Sequence, residues 1–306
     1  MQKCANKIEQ VVFSNDFIVK FTDAVEKLYA YDRYMDFCIV ASIFGHKTLS
    51  YLPLLNYTDR AHNEIDDLLE LAKDNSFQIK SLNFSYTAFE PGDMVTMRLD
   101  IHNSSSEEIL KNSIKSRCRN KIRNSIKKYD YAVEYGNDAK SIDDFYEIFS
   151  ATMYKHGTPV LDKKLFFYLA EEFGDDMIFF NAYDNDQVIA SMCMIVDEEI
   201  AWYPWGGVDA MYNRNLAGYF IYWQALQYIC DNTKVKIFDF GRSSYGGSTY
   251  DFKSQFGAYP VKIDVITSNQ DDLYSKYSLA SKIWTKLPKT MVDYIGPKLC
   301  KYLVDL

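Results

Sequence analysis

Hydrophobic residues in the second half of the chain fall in short blocks cut by acidic turns, a pattern that strands produce and long helices do not. Residues 177–183, 188–196 and 200–205 form three such blocks, separated by Asp184-Asn-Asp186 and Asp197-Glu-Glu199, and they predict an antiparallel meander. Ile237, Phe238 and Phe240 form the apolar body of another strand, and residues 261–267 form one more. Between them Tyr222, Ala225, Leu226 and Ile229 recur at helical spacing, and residues 141–154 and 163–173 also read as helices. Earlier in the chain, residues 37–44 turn at Gly45-His46 into 48–55, which reads as a hairpin, and Ile65, Leu68, Leu69 and Ala72 make the face of a helix. Strands follow near 77–84 and 94–101, the latter with Met97 and Leu99 alternating against Thr96 and Arg98. This order of elements predicts an α/β fold with a mixed, centrally antiparallel sheet flanked by helices.

One helix stands apart by its charge. Ser104, Ser105, Glu107 and Glu108 open a helix predicted over 106–128, with Leu110, Ile114, Cys118, Ile122 and Ile126 as its apolar stripe. Lys111, Lys115, Arg119, Arg123 and Lys127 lie one position further round, and between Ile109 and Tyr129 there are eight bases and no acid. Exposed helices ordinarily mix signs, so this face predicts an anionic ligand: the phosphates of a tRNA, a lipid-linked sugar or an anionic membrane. A solvated charge run is the alternative. A second basic stretch, 272–306, is predicted helical with breaks at Pro288 and Pro297, and sets Lys282, Lys286, Lys289 and Lys298 beside Trp284 and Ile295. It reads as contact with a membrane surface or as a packing helix.

Of 306 residues, 48% are hydrophobic and 25% charged, which is globular composition, and the net charge of −8 argues against general affinity for nucleic acid. No run of eighteen apolar residues predicts a spanning helix, and residues 1–7 lack the apolar core of a signal peptide. The expected place is the cytoplasm, at most peripheral to the inner face of a membrane. Six scattered cysteines and four histidines show no metal-ligand spacing, so no metal is expected.

The densest candidate chemistry lies in 237–257, where a buried strand ends in a loop freed by Gly241, Gly246 and Gly247. Lys253 is the first candidate for a catalytic cation, with a solvated surface lysine as the alternative. Asp239, between two phenylalanines, is either a general base or the structural partner of Arg242. Arg242 itself suits a phosphate, and Ser243 and Tyr250 lie on the same loop. His156, in the break before Gly157-Thr-Pro159, is a candidate proton acceptor or an incidental loop histidine. Tyr203 and Trp205 wall an acceptor groove or pack a core.

Met97-x-Leu99, Arg117-x-Arg-Asn-Lys-Ile-Arg123, Gly157-Thr-Pro159, Asp239-Phe-Gly-Arg-Ser243, Thr249-Tyr-x-Phe-Lys253, Phe256-Gly257, Trp284-x-x-Leu-Pro288 and Gly296-Pro297 occur in this order. Over residues 45–306 they resemble the FemAB-like family of GNAT-fold transferases, in the bacterial branch associated with exopolysaccharide and cell-envelope gene sets. The resemblance implies tandem GNAT-like domains, the first degenerate: residues 1–103 as a partial domain, 104–130 as a basic linking helix, 131–270 as the transferase domain and 271–306 as a basic tail. It implies an N-acyltransferase that moves an acyl or aminoacyl group to an amine of a cell-envelope glycan, lipid-linked saccharide or peptidoglycan precursor. Acyl-CoA, acyl-carrier protein or aminoacyl-tRNA is the implied donor, with no tightly bound cofactor. Lys253 falls in the family's active groove, and Arg119, Asn120 and Arg123 fall at its most regular positions. A catalytically silent binding subunit of a polysaccharide-assembly complex is the alternative of another class. The acyl-CoA pyrophosphate loop of ordinary GNAT enzymes would fall at Arg214-Asn-Leu-Ala-Gly218, where its glycine pattern is not kept, so the donor stays open.

Overall fold

The computed structural model describes residues 11–28, 32–34, 37–41, 47–49, 55–56, 78–267 and 281–300. Helix α1 (Asn15–Leu28) is followed by the short strands β1 (Asp32–Tyr34), β2 (Phe37–Ala41), β3 (Lys47–Leu49) and β4 (Leu55–Asn56), then by β5 (Gln78–Asn83) and β6 (Met94–Asp100). Helices α2 (Ser106–Asn112) and α3 (Ser116–Lys128), strand β7 (Tyr131–Gly136) and helices α4 (Ala139–His156) and α5 (Lys163–Phe173) lead into the meander β8 (Met177–Asp184), β9 (Gln187–Val196) and β10 (Ile200–Val208). Then come α6 (Ala217–Asn232), β11 (Ile237–Ser244), the short α7 (Ser248–Ser254), β12 (Tyr259–Thr267) and α8 (Lys289–Cys300).

Strands β1, β2 and β3 form a small sheet in which β2 and β3 are the expected antiparallel pair, Ile39 opposite Leu49. The helix expected through Ile65 and Ala72 lies outside the described residues. The main sheet has the order β4-β5-β12-β6-β11-β10-β9-β8-β7, antiparallel except where β4 meets β5 and β10 meets β11. This is the mixed, centrally antiparallel α/β sheet that the pattern predicts. Strand β6 lies between β11 and β12, so the sheet runs on across residue 103.

The two faces of the sheet carry separate cores, which is why β8 and β9 read as continuous apolar blocks and not as alternation. Helices α2, α3 and α6 cover Met97, Leu99, Phe180, Met192, Phe238 and Phe240. Helices α1, α4 and α5 cover Phe179, Cys193, Ile195, Trp205 and Ile237 on the other side.

Three elements depart from the sequence reading. The helix predicted over 106–128 is two, because Lys115 turns extended as the N-cap of α3 and its N–H bonds the Gln255 carbonyl at 2.9 Å, while Gly257 packs on the Ser113 carbonyl. Past this break Ser125 takes an inward position and Ile126 is exposed. Pro297 sits inside α8 and does not end it. Helix α1 was not anticipated, although Phe17, Phe21, Ala24 and Val25 are buried at helical spacing and the Ser14 hydroxyl accepts the Phe17 N–H at 3.1 Å. Asp197, in the β9–β10 turn, holds Ser14 by its N–H at 2.6 Å and its hydroxyl at 2.7 Å.

Candidate functional site

Strands β10 and β11 run parallel and pair only at their first residues: Ile200 with Ile237, Ala201 with Phe238 and Trp202 with Asp239. Since β10 continues to Val208 and β11 to Ser244, the two strands part beyond those pairs. Each is irregular where they part, with register shifts between Trp202 and Trp205 against β9 and between Asp239 and Arg242 against β6. Gly241 occupies the second bulge at φ +73°, and a Cβ there would collide with the Tyr203 carbonyl, so the position requires glycine.

Lys253 closes this bulge from α7. Its Nζ donates to the carbonyls of Gly241 at 3.0 Å and Arg242 at 2.8 Å. Phe252 and Phe256 anchor α7 on Tyr219, Tyr222 and Phe240, which turns Lys253 inward. The lysine is only 6% exposed, and burial pushes its ammonium down to about 7; the charge of Asp239 opposes that shift and Arg242 adds to it. The surface-lysine alternative therefore does not hold.

Asp239 points to the other side of the sheet, with Ile237 and Trp202, and is fully buried. Its Oδ2 accepts from Arg98 Nε at 2.8 Å, and its Oδ1 accepts from the Thr96 hydroxyl at 2.5 Å and the Gly241 N–H at 2.8 Å. Arg98, equally buried, gives Nη1 to the Val11 carbonyl at 2.6 Å and lies 5.5 Å from the Phe84 ring centroid. The expected pairing of Asp239 with Arg242 is corrected. The bulge places Arg242 opposite Thr96 with an exposed side chain, and Arg98 becomes the cross-strand partner of Asp239. Ser243, opposite Val95, has a buried hydroxyl with no hydrogen-bond partner among the described residues. Tyr250 is half-buried against Tyr245, ring centroids 4.7 Å apart.

Other candidates lie apart from this cluster. His156 is the exposed last residue of α4, capped by Gly157 at φ +69°, which packs against Ser281. Trp205 packs edge-on to Phe166 at 5.4 Å in the α1–α4–α5 core, and Tyr203 meets Tyr222 at 5.4 Å, where burial pushes its hydroxyl well above its ordinary value. Both side chains pack in cores, as the second alternative for them had it. Arg119 is half-buried and gives Nη1 to the carbonyls of Lys111 at 2.9 Å and Ile114 at 2.5 Å, so its guanidinium ties the end of α2 to the start of α3. Asn120 and Arg123 are exposed, as are Arg117, Lys127 and Lys128. Lys121 donates to the Tyr219 hydroxyl at 2.7 Å.

Helix α6 begins after Leu216, at φ +64°, without a side-chain cap, and a Cβ on its Gly218 would lie 3.6 Å from Val208 and 3.8 Å from Phe252. Uncapped helical N–H groups thus lie beside the gap between β10 and α7. The sequence reading did not single out Thr96 and Arg98 as site residues. The available signal was a lone base in one apolar strand and a lone acid in another. Among the described residues no three His, Cys, Asp or Glu are grouped as metal ligands, and no helix is long and apolar enough to cross a membrane.

Residues 114–254 match the acetyltransferase (GNAT) domain family. The matched stretch runs from Ile114 through β7 to β11 and ends one residue past Lys253, while Thr96 and Arg98 join the same sheet on β6 from outside it. Among solved structures the chain is similar to FemX (TM-score 0.58, 15% identity, covering 90% of this chain and 100% of that one). It is also similar to the C-terminal domain of a putative lysylphosphatidylglycerol synthetase from Agrobacterium fabrum (0.53, 12%, 88% and 96%). L-PGS from Bacillus licheniformis is a third such structure (0.51, 9%, 91% and 100%). At these identities the likeness is one of fold. No curated protein matches the sequence.

Proposed function

We propose that the GNAT domain transfers an acyl or aminoacyl group from an activated donor to an amine of a cell-envelope glycan, lipid-linked saccharide or peptidoglycan precursor, as a FemAB-like transferase. The observation that carries this reading is Lys253, a lysine withdrawn from water onto two backbone carbonyls where β10 and β11 part. The neutral nitrogen of the acceptor attacks the donor carbonyl. A C–N bond forms, the C–S bond of a thioester or the C–O bond of an aminoacyl ester breaks, the nitrogen proton passes to water, and the leaving sulfur or oxygen takes a proton from water to depart as the thiol or alcohol. Midway the carbonyl oxygen carries negative charge, and Lys253, poised at about 7, holds its proton more firmly as that charge grows. The unpaired Ser243 hydroxyl is a second donor for the same oxygen.

The start of α6 offers amide N–H groups to a donor phosphate, and exposed Arg117, Arg123, Lys127 and Lys128 hold an anionic part of the donor or acceptor. The name of the Agrobacterium fabrum neighbour, a lysylphosphatidylglycerol synthetase, keeps an aminoacyl donor beside the thioester within this reading. Residues 1–103 and 131–270 are the two halves of the tandem arrangement. The segment 282–298, with Lys282, Lys286 and Lys298 around exposed Ile283, Met291 and Tyr294, is the part that meets the inner face of a membrane.

The test is Lys253→Met, assayed with acyl-CoA, acyl-carrier protein and charged tRNA against amine-bearing envelope precursors. A loss on the order of 10²–10³ in kcat is expected; full turnover by the folded variant removes Lys253 from the reaction. Ribonuclease abolishes activity only if the donor is a charged tRNA. Saturable glycolipid binding without turnover on any donor would assign the chain to the class of binding subunits.

A further inference from the structure

The bulge on which the Lys253 ammonium rests is braced from the opposite side of the sheet. A chain of hydrogen bonds runs from the Val11 carbonyl through Arg98 to Asp239, and from Asp239 to the Gly241 N–H. The carbonyls of Gly241 and Arg242 then take the two bonds from Lys253. We propose that Thr96, Arg98 and Asp239 are positioning residues for Lys253, holding in place the bulge from which it works. This rests on the role given to Lys253 above.

Stability alone is a poor account of the cluster. A buried ion pair is often replaced by apolar residues of similar volume at no cost. Here the pair also leaves the buried Arg98 Nη2 without a partner among the described residues, which a cluster selected only for stability would avoid. What the cluster does provide is a fixed Gly241. Its Oδ1 contact sets the direction of the Gly241 peptide, and Thr96 locks that oxygen. Without it the strand is free to relax toward an ordinary ladder, and the two carbonyls turn away from α7. Asp239 also supplies the negative charge that opposes the effect of burial on Lys253, and Arg242 is the cation that acts the other way. The brace comes from β6, outside the GNAT domain, so the domain depends for its site on a strand contributed by the first part of the chain.

The experiment follows the Lys253 side-chain nitrogen by NMR through a pH titration of the whole protein without substrate, and so needs no turnover. In Asp239→Asn the midpoint is expected to fall from about 7 to about 6, the size of effect of one lost neighbouring charge. At pH 7 the protonated fraction then drops about fivefold, and kcat drops with it while the donor KM holds. The double variant Arg98→Met with Asp239→Leu, which exchanges the pair for apolar volume, is expected to show a smaller shift in the same direction if Asp239→Asn does not fold, since the Arg98 charge leaves with that of Asp239. An unchanged midpoint in a folded variant overturns the inference, and so does a double variant that fails to fold, since the pair then serves the fold. Retained activity in Lys253→Met with a shifted midpoint in Asp239→Asn would instead overturn the role of Lys253 and leave the brace standing.

Discussion

In the unfolded chain Lys253 binds its proton with the ordinary lysine value of 10.5, and in the folded protein burial brings this to about 7. Between those values the unfolded chain carries a proton that the folded one lacks, so folding stability from this group rises with pH across the window. Below about pH 7 both states are charged and the whole burial penalty is present; above 10.5 it is gone. Lys253→Met should therefore raise the unfolding free energy most below pH 7, by an amount on the order of a few kcal/mol in denaturant unfolding, and the gain should shrink toward pH 10. Activity should follow the same proton, with kcat/KM falling as pH rises through about 7, because the cationic form is the one that meets the oxyanion. Gly241→Ala places a Cβ against the Tyr203 carbonyl at a positive φ. It should cost about 1–3 kcal/mol in denaturant unfolding and reduce turnover.

At the scale of elements, the basic pair α2 and α3 separates two jobs that one charge run conceals. Arg119→Ala removes a guanidinium from the carbonyls of Lys111 and Ile114 and should cost about 1–3 kcal/mol of stability. Arg123→Ala should leave the melting temperature in place while weakening binding of a phosphate-bearing ligand and lowering its salt dependence. The sequence showed the charge and the apolar stripe, but not the break. Ile114 and Cys118 keep their i, i+4 spacing across it, and its causes are Gln255 and Gly257, far along the chain. The meander was legible because acidic turns bracket strands covered on both faces. Lys253 was legible through its motif and its glycine-rich loop. Its brace was not, since Arg98 and Asp239 stand 141 residues apart and only the register of β6 against β11 joins them.

At the scale of the whole molecule, α1 fills a face built by residues far along the chain. Phe17 meets Phe173 at 5.0 Å and Trp202 at 6.1 Å, so Phe17→Ala should cost about 3–5 kcal/mol and loosen the surroundings of Trp202, read as a shift in tryptophan emission. Periodicity at Phe17, Phe21 and Val25 was present in the sequence; its destination was not. The short tie from Ser14 to Asp197 spans 183 residues, and it bears on the order in which the protein is made. Ser14 leaves the ribosome long before Asp197, and before the Arg98 that takes the Val11 carbonyl. Until α5 and then the β9–β10 region emerge, Phe17 lacks the Phe173 and Trp202 that cover it, and closing so long a loop is slow. The newborn chain therefore carries part of its phenylalanine stripe uncovered while the 183 residues from Ser14 to Asp197 are made.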